Sequence, residues 1–159
     1  MSAVPSLLTD AATAFPAAAF ESKLGDSVVT VERDDLIGFL TAVRDAGFEM
    51  FMDLCAVDYL SRDPRFEVAI NLVSVEHTAR LRVLVGVPGD DPAMPSISPV
   101  YPGANFYERE AFDLFGVEFV GHPDMTRILL PDEWEGHPLR KDFSVGSVPV
   151  QFKGANKTQ

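Results

Sequence analysis

Apolar positions in "VERDDLIGFLTAVRDAG" recur with a helical period, placing Leu36, Phe39, Leu40, Val43 and Ala46 on one arc. The pattern predicts an amphipathic helix with Asp34 as its N-cap and Gly47 as its stop. On either side the period shortens to two. "SVVTV", Ser27 to Val31, is a short β-rich run, and "FEMFMDLCAV", Phe48 to Val57, places Phe48, Met50, Met52 and Leu54 on one face. "FEVAINLVSV" sets Phe66, Val68, Ile70 and Leu72 against Glu67, Ala69 and Asn71, and "RLRVLVGV" sets Leu81, Val83, Val85 and Val87 against Arg80 and Arg82. The polar "EHTA" between those two runs reads as a hairpin turn, hence antiparallel pairing. Together these elements predict an α+β fold, with helices packed on a mostly antiparallel sheet.

The texture changes after Val87. Of the 12 prolines, Pro5, Pro16 and Pro64 precede that point and all the others follow it. Each removes a backbone donor and turns the preceding residue toward extended geometry. The expectation is one α+β domain over residues 1–143, in which 88–143 form a proline-rich, extended C-terminal arm containing one helix. Residues 144–159 hold too few large apolar side chains to order themselves and read as a flexible tail.

With 159 residues, 47% hydrophobic and 23% charged, the chain has the size and composition of one folded soluble domain. Its 13 basic and 24 acidic residues give a formal net charge of -11, which repels a polyanion, so nucleic acid is not an expected partner. The single cysteine, Cys55, forms no internal disulfide and is too few for an iron-sulfur cluster, as expected in a reducing compartment. No Lys or Arg precedes Lys23, and the longest apolar stretch, Ala11 to Phe20, is interrupted by Pro16 and is far shorter than a membrane span. Membrane contact is therefore expected only through a partner.

Within the arm, "NFYEREAFDLFG" predicts a helix capped by Asn105 and stopped at Gly116. Arg109, Glu110 and Asp113 gather on one side, with Arg109 and Asp113 as i, i+4 neighbours, while Glu108 falls inside the apolar arc. A carboxylate among aromatic rings is costly unless paired, so Glu108 belongs to an interface or a buried ion pair. Glu108 and Glu110, two apart on a helix, point to different sides and make a poor acid-base pair.

His122, Asp124 and His137 form the one grouping that suggests a metal, as in a metal-dependent hydrolase, although their spacing matches no zinc pattern. No serine elbow, glycine-rich phosphate loop or base-flanked cysteine is present. "RILLPDEWEGHPLRKDF" combines Trp134, Leu139 and Phe143 with Arg127, Arg140 and Lys141, a mixture suited to a partner surface. The same segment could instead fold back onto its own sheet, and both readings can hold for different residues.

The string from Glu108 to Phe143, with E-R-E, D-L-F-G, G-H-P, R-I-L and W-E-G-H-P-L-R-K-D-F in order, resembles the signature of the 30-kilodalton subunit family of NADH:quinone oxidoreductase, respiratory complex I. The resemblance implies a non-catalytic, peripheral-arm subunit on the cytoplasmic side of the cell membrane, active only as part of an oxidoreductase complex. As partners it implies the quinone-site subunit, which is similar to a hydrogenase large subunit, and other peripheral-arm subunits. No cofactor is expected in this chain, with FMN, iron-sulfur clusters and quinone held by neighbouring subunits. The expected partner-interface residues are Glu108, Arg109, Glu110, Asp113, His122, Arg127, Trp134, His137, Arg140, Lys141 and Asp142. Thr126 stands where the family usually has a basic residue. Related membrane-bound hydrogenases and dehydrogenases with other electron donors use similar subunits.

Overall fold

The computed structural model describes residues 6–23 and 26–144. Helix α1 (Thr9–Ala14) leads into strands β1 (Ala19–Lys23) and β2 (Asp26–Thr30), then helix α2 (Leu36–Asp45) and strand β3 (Met50–Asp58). Strands β4 (Phe66–Ser74) and β5 (Ala79–Val87) form the expected hairpin. The arm contributes β6 (Ala93–Pro95), α3 (Asn105–Phe115) and β7 (Glu118–Val120).

Five strands form one sheet in the order β1-β2-β5-β4-β3, with β2 and β5 parallel and every other pair antiparallel. After β2 the chain crosses through α2 to β3 at the far edge, and the β4–β5 hairpin fills the space between them. The mostly antiparallel α+β architecture is as the sequence predicts. β6 and β7 form a separate parallel pair, too short and too close to prolines to show a period.

One sheet face and the helices form the core. Leu36, Phe39, Leu40 and Val43 of α2 are buried, and Ala46 is half-buried. They meet Phe66, Val68, Ile70 and Leu72 of β4 and the matching odd-numbered residues of β5. Each such side chain contributes about 1.5–3 kcal/mol of burial.

Three local expectations are corrected. Asp34 does not cap α2; it lies in a 3₁₀ turn, Arg33–Asp35, whose backbone carbonyl of Arg33 accepts the Leu36 amide. Asn105 likewise begins α3 rather than capping it, because the turn Pro102–Ala104 supplies the Pro102 carbonyl to its amide. Met50, Met52 and Leu54 do not share a face. A bulge at Met52, between Phe51 opposite Leu72 and Asp53 opposite Asn71, shifts the alternation by one. Phe51 therefore packs on the core, while Met50 and Met52 are exposed. Among the described residues no helix is long and apolar enough to cross a membrane. The tail reading falls, apart from Ser144, outside the described residues.

Candidate functional site

Helix α3 is the frame on which the signature is built. It lies against the edge strand β3, which a helix covers as one way to protect a sheet edge. Gly116 ends it in the left-handed region (φ 70°), donating its amide to the Phe112 carbonyl. Three acids then bind segments that have no ladder of their own.

Glu108 is fully buried, as the helical wheel suggests, and its hydrogen-bond donors are a hydroxyl and a backbone amide. The Ser96 hydroxyl donates to Oε2 at 2.7 Å and the Ile97 amide donates to Oε1 at 2.6 Å. Burial raises the Glu108 carboxyl above its ordinary value, opposed by these hydrogen bonds. His122 Nε2 stands 3.8 Å from Oε2. The Asp124 amide donates to His122 Nδ1 at 3.0 Å, so that nitrogen carries no proton, and Nε2–H donates to the Asn105 carbonyl at 3.2 Å. Both ring nitrogens are thus engaged, and among the described residues no Arg or Lys reaches the Glu108 carboxylate.

Asp113 corrects the helical wheel more sharply. Gathered with Arg109 and Glu110 on the charged side of the helix, it is nonetheless fully buried because the arm folds over it. Arg127 Nη1 donates to Oδ1 at 2.6 Å, while the amides of Ile128, Leu129 and Leu130 donate to Oδ2 at 3.1, 2.8 and 2.9 Å. Burial alone raises this carboxyl; the amides of Leu130 and Leu129, Arg127 and the Ile128 amide outweigh it and hold the group below its ordinary value. Arg109 does not pair with Asp113. Its guanidinium donates to the Thr126 hydroxyl at 2.9 Å and to the carbonyls of Thr126 and Arg127.

The far end of the arm returns to the sheet. Arg140 donates to the carbonyls of Phe115 and Gly116 at the C-terminus of α3, where a cation is favoured by the helix dipole. His137 Nδ1–H donates to the Asp113 carbonyl at 2.9 Å, with the ring edge-on to Phe112. Burial lowers the His137 imidazole below its ordinary value. Asp58, at the end of β3, accepts from Arg65 through both oxygens, at 2.9 and 2.8 Å, and from the amides of Lys141 and Leu60. Arg65, foremost, holds the Asp58 carboxyl far below the usual carboxylate range. The same guanidinium also grips Asp142 at 2.9 Å.

The candidate metal residues are not brought together. His122 is anchored at Asn105 and His137 at Asp113, eight helical residues apart and so roughly 12 Å along the axis. No described group of three His, Cys, Asp or Glu side chains could hold a metal ion.

Of the expected interface residues, Glu110, Lys141 and Asp142 are exposed, and Arg109, Arg127, Trp134, His137 and Arg140 are half-buried. Trp134 Nε1 is shielded from water with no hydrogen-bond partner among the described residues. Ile128, Leu129 and Leu139 present exposed apolar side chains beside them. The sequence reading missed Asp58, Arg65 and Ser96. Asp58 had a visible signal, since it continues the buried stripe of Leu54 and Ala56.

Comparison with known proteins gives the frame a context. Residues 29–148 match the family described as "Respiratory-chain NADH dehydrogenase, 30 Kd subunit". The NADH-quinone oxidoreductase C subunit of Herpetosiphon aurantiacus is 44% identical over 141 residues, 87% of this chain and 82% of that protein. The protein of the same name in Roseiflexus castenholzii is 42% identical over 153 residues, 93% of this chain and 88% of that protein. The solved trypsin-resistant fragment (1-134) of Nqo5 is 34% identical with a TM-score of 0.67, covering 74% of this chain and 96% of the fragment. A chain of the membrane-bound sulfane sulfur reductase, an archaeal respiratory membrane complex, covers 96% of both chains with a TM-score of 0.78 at 24% identity, a likeness of fold alone.

Proposed function

The chain belongs to the family of the 30 Kd subunit of respiratory-chain NADH dehydrogenase, and from that premise we propose that it is a non-catalytic peripheral-arm subunit of a proton-translocating NADH:quinone oxidoreductase. It docks on the quinone-site subunit and adjoining peripheral-arm subunits, on the cytoplasmic side of the membrane. FMN, the iron-sulfur clusters and quinone sit in those neighbours. Its contribution to turnover is mechanical: it keeps the last cluster and the quinone pocket in one geometry, because electron transfer and its coupling tolerate little displacement.

The observation that supports this most is the construction of the arm. Buried acids fix a proline-rich loop that has no sheet of its own, and the loop's apolar tips, Ile128, Leu129 and Leu139, are left outside. A loop held so firmly is a preformed surface, which lowers the ordering cost of association. Arg109, Glu110, Arg127, Trp134, Arg140, Lys141 and Asp142 are the side chains proposed to meet the partner with them.

The test is affinity purification of the tagged chain from gently solubilised membranes, with mass spectrometry of the accompanying proteins. Recovery with a hydrogenase-like quinone-site subunit, cluster-bearing subunits and flavoprotein subunits is expected. Recovery of the chain alone at several salt concentrations would overturn the proposal. Since the fold alone also occurs in an archaeal complex of another title, recovery without any NADH-binding flavoprotein would move the chain to a complex with a different electron donor.

A further inference from the structure

The second face of the sheet supplies a surface separate from the signature segment 108–143. Register places Met50, Asp53 and Cys55 of β3, Asn71 and Val73 of β4, and Arg80 and Arg82 of β5 on it. At the bulge this face sinks into a groove of about 440 Å³ whose walls include Met52, Asp53, Asn71, Val73, Arg80 and Arg82. Around the strand edge a second hollow of about 410 Å³ is lined by Met50, Phe51, Val75, Tyr101 and Pro102. Met50 is 45% exposed, Met52 50% and Val75 60%. Three large apolar side chains this exposed, side by side and rich in adaptable methionine, mark a contact surface rather than scattered surface residues.

Charge indicates what covers it. Arg33, Arg44, Arg62, Arg65 and Arg127 each pair with a carboxylate of the chain, and Arg109 and Arg140 donate to carbonyls. Arg80 and Arg82 differ. Arg82 donates to Asn71 Oδ1 at 2.9 Å, and Asn71 Nδ2 donates in turn to Asp53 at 2.6 Å, so the acid of the groove is satisfied at the opposite wall. Among the described residues neither arginine has a carboxylate within ion-pair distance, and the Arg80 side chain has no hydrogen-bond partner. In a chain of net charge -11, two exposed, unpaired guanidinium groups beside an apolar groove are complementary to a carboxylate carried on an apolar segment. A second copy of this acidic chain is disfavoured by repulsion.

We propose that the groove between Met52, Val73, Arg80 and Arg82 seats an apolar segment of a neighbouring subunit, with an Asp or Glu of that segment paired to the two arginines. This rests on the reading of the chain as a subunit of a larger complex.

The test places the photo-cross-linker p-benzoylphenylalanine at Met52 in the tagged chain, illuminates the solubilised complex and identifies the adduct peptide. The expected adduct lies on another subunit, within a few residues of an Asp or Glu. Its yield should fall at least about tenfold in the Arg80→Glu, Arg82→Glu variant. The Arg44→Glu control, altered at an exposed ion pair on α2 that does not line the groove, should keep it. The inference is overturned by a co-purifying chain that gives no adduct, by an adduct on a second copy or on a segment without carboxylates, or by a yield that ignores the charge reversal. A chain that co-purifies with no other subunit sinks the functional reading itself, and the inference with it.

Discussion

Replacing Asp113 by Asn tests whether the arm is held by that one carboxylate. The amide keeps a single acceptor oxygen, and its NH₂ group would face donors in a site where one guanidinium and three amides now converge. Arg127 would also lose its counter-charge. Removing one member of a buried pair costs about 3–5 kcal/mol. Because the Arg127 side chain remains 16% exposed, water screens part of the loss and the lower end, about 3 kcal/mol, is expected. The loop from Arg127 to Arg140 lies outside the sheet, so the readout is limited trypsinolysis after Arg127 and Arg140. When reclosing outpaces cutting, cleavage follows the undocked population, and about 3 kcal/mol multiplies that population roughly a hundredfold. Glu110→Gln, the same chemistry on an exposed carboxylate of the same helix, should leave the rate alone. A cleavage rate within about twofold of the parent for Asp113→Asn would refute the anchoring argument, since that is below 1 kcal/mol.

The other predictions concern the remaining anchors and the surface. Glu108→Gln should lower stability in urea by less than about 1.5 kcal/mol, since its hydrogen-bond donors are a hydroxyl and an amide; a loss of about 3–5 kcal/mol would instead mark an ion pair with His122. Because the folded Glu108 value is raised, its contribution to stability declines as pH climbs from the unfolded value, near 4.3, through the folded one, and Glu108→Gln should remove that slope. Asp58 acts in the opposite sense: its folded value is depressed, so its contribution is complete above about pH 4 and lost as pH falls further, and Asp58→Asn should flatten the acid limb of the urea midpoint. Gly116→Ala sets a Cβ 2.5 Å from His137 and 2.6 Å from Arg140 at a positive φ, and should speed trypsin cleavage after Arg140 at least about tenfold. Leu129→Ser with Leu139→Ser, both at exposed sites, should leave the urea midpoint within about 0.5 kcal/mol of the parent while reducing recovery of partner subunits; full recovery would remove the arm tips from the interface.

Much of the sheet was legible because β4 and β5 alternate without interruption, and α2 because four apolar residues share one face. The bulge was not. Period-two reading carries Met52 into the core because nothing in "EMFMDL" announces an extra residue. Helix α1 and strand β1 lie in an alanine-rich run whose apolar positions suit either state. At the arm, composition located the chemistry and the signature identified the family, but neither revealed which groups meet. Asp58 binds the amide of Lys141 across 83 positions and Arg65 reaches Asp142 across 77, separations at which no local pattern exists. Glu108 shows the boundary most clearly: the helical wheel predicted its burial, while its partners lie on a loop eleven and twelve residues back.

Glu108, Asp113, Arg127 and Arg140 of the signature turn inward for a backbone reason. A proline-rich segment over a helix end cannot join a ladder, yet its amides and carbonyls must be paired once water is excluded. Acids supply acceptors where the loop has spare amides: Glu108 for Ile97, Asp113 for Ile128 to Leu130, Asp58 for Lys141. Arginines supply donors where α3 has spare carbonyls: Arg140 at Phe115 and Gly116, Arg127 at Asp113. These inward-facing charges are thus the hydrogen-bonding complement of an irregular fold. What a neighbouring subunit would meet is the apolar relief those charges hold in place.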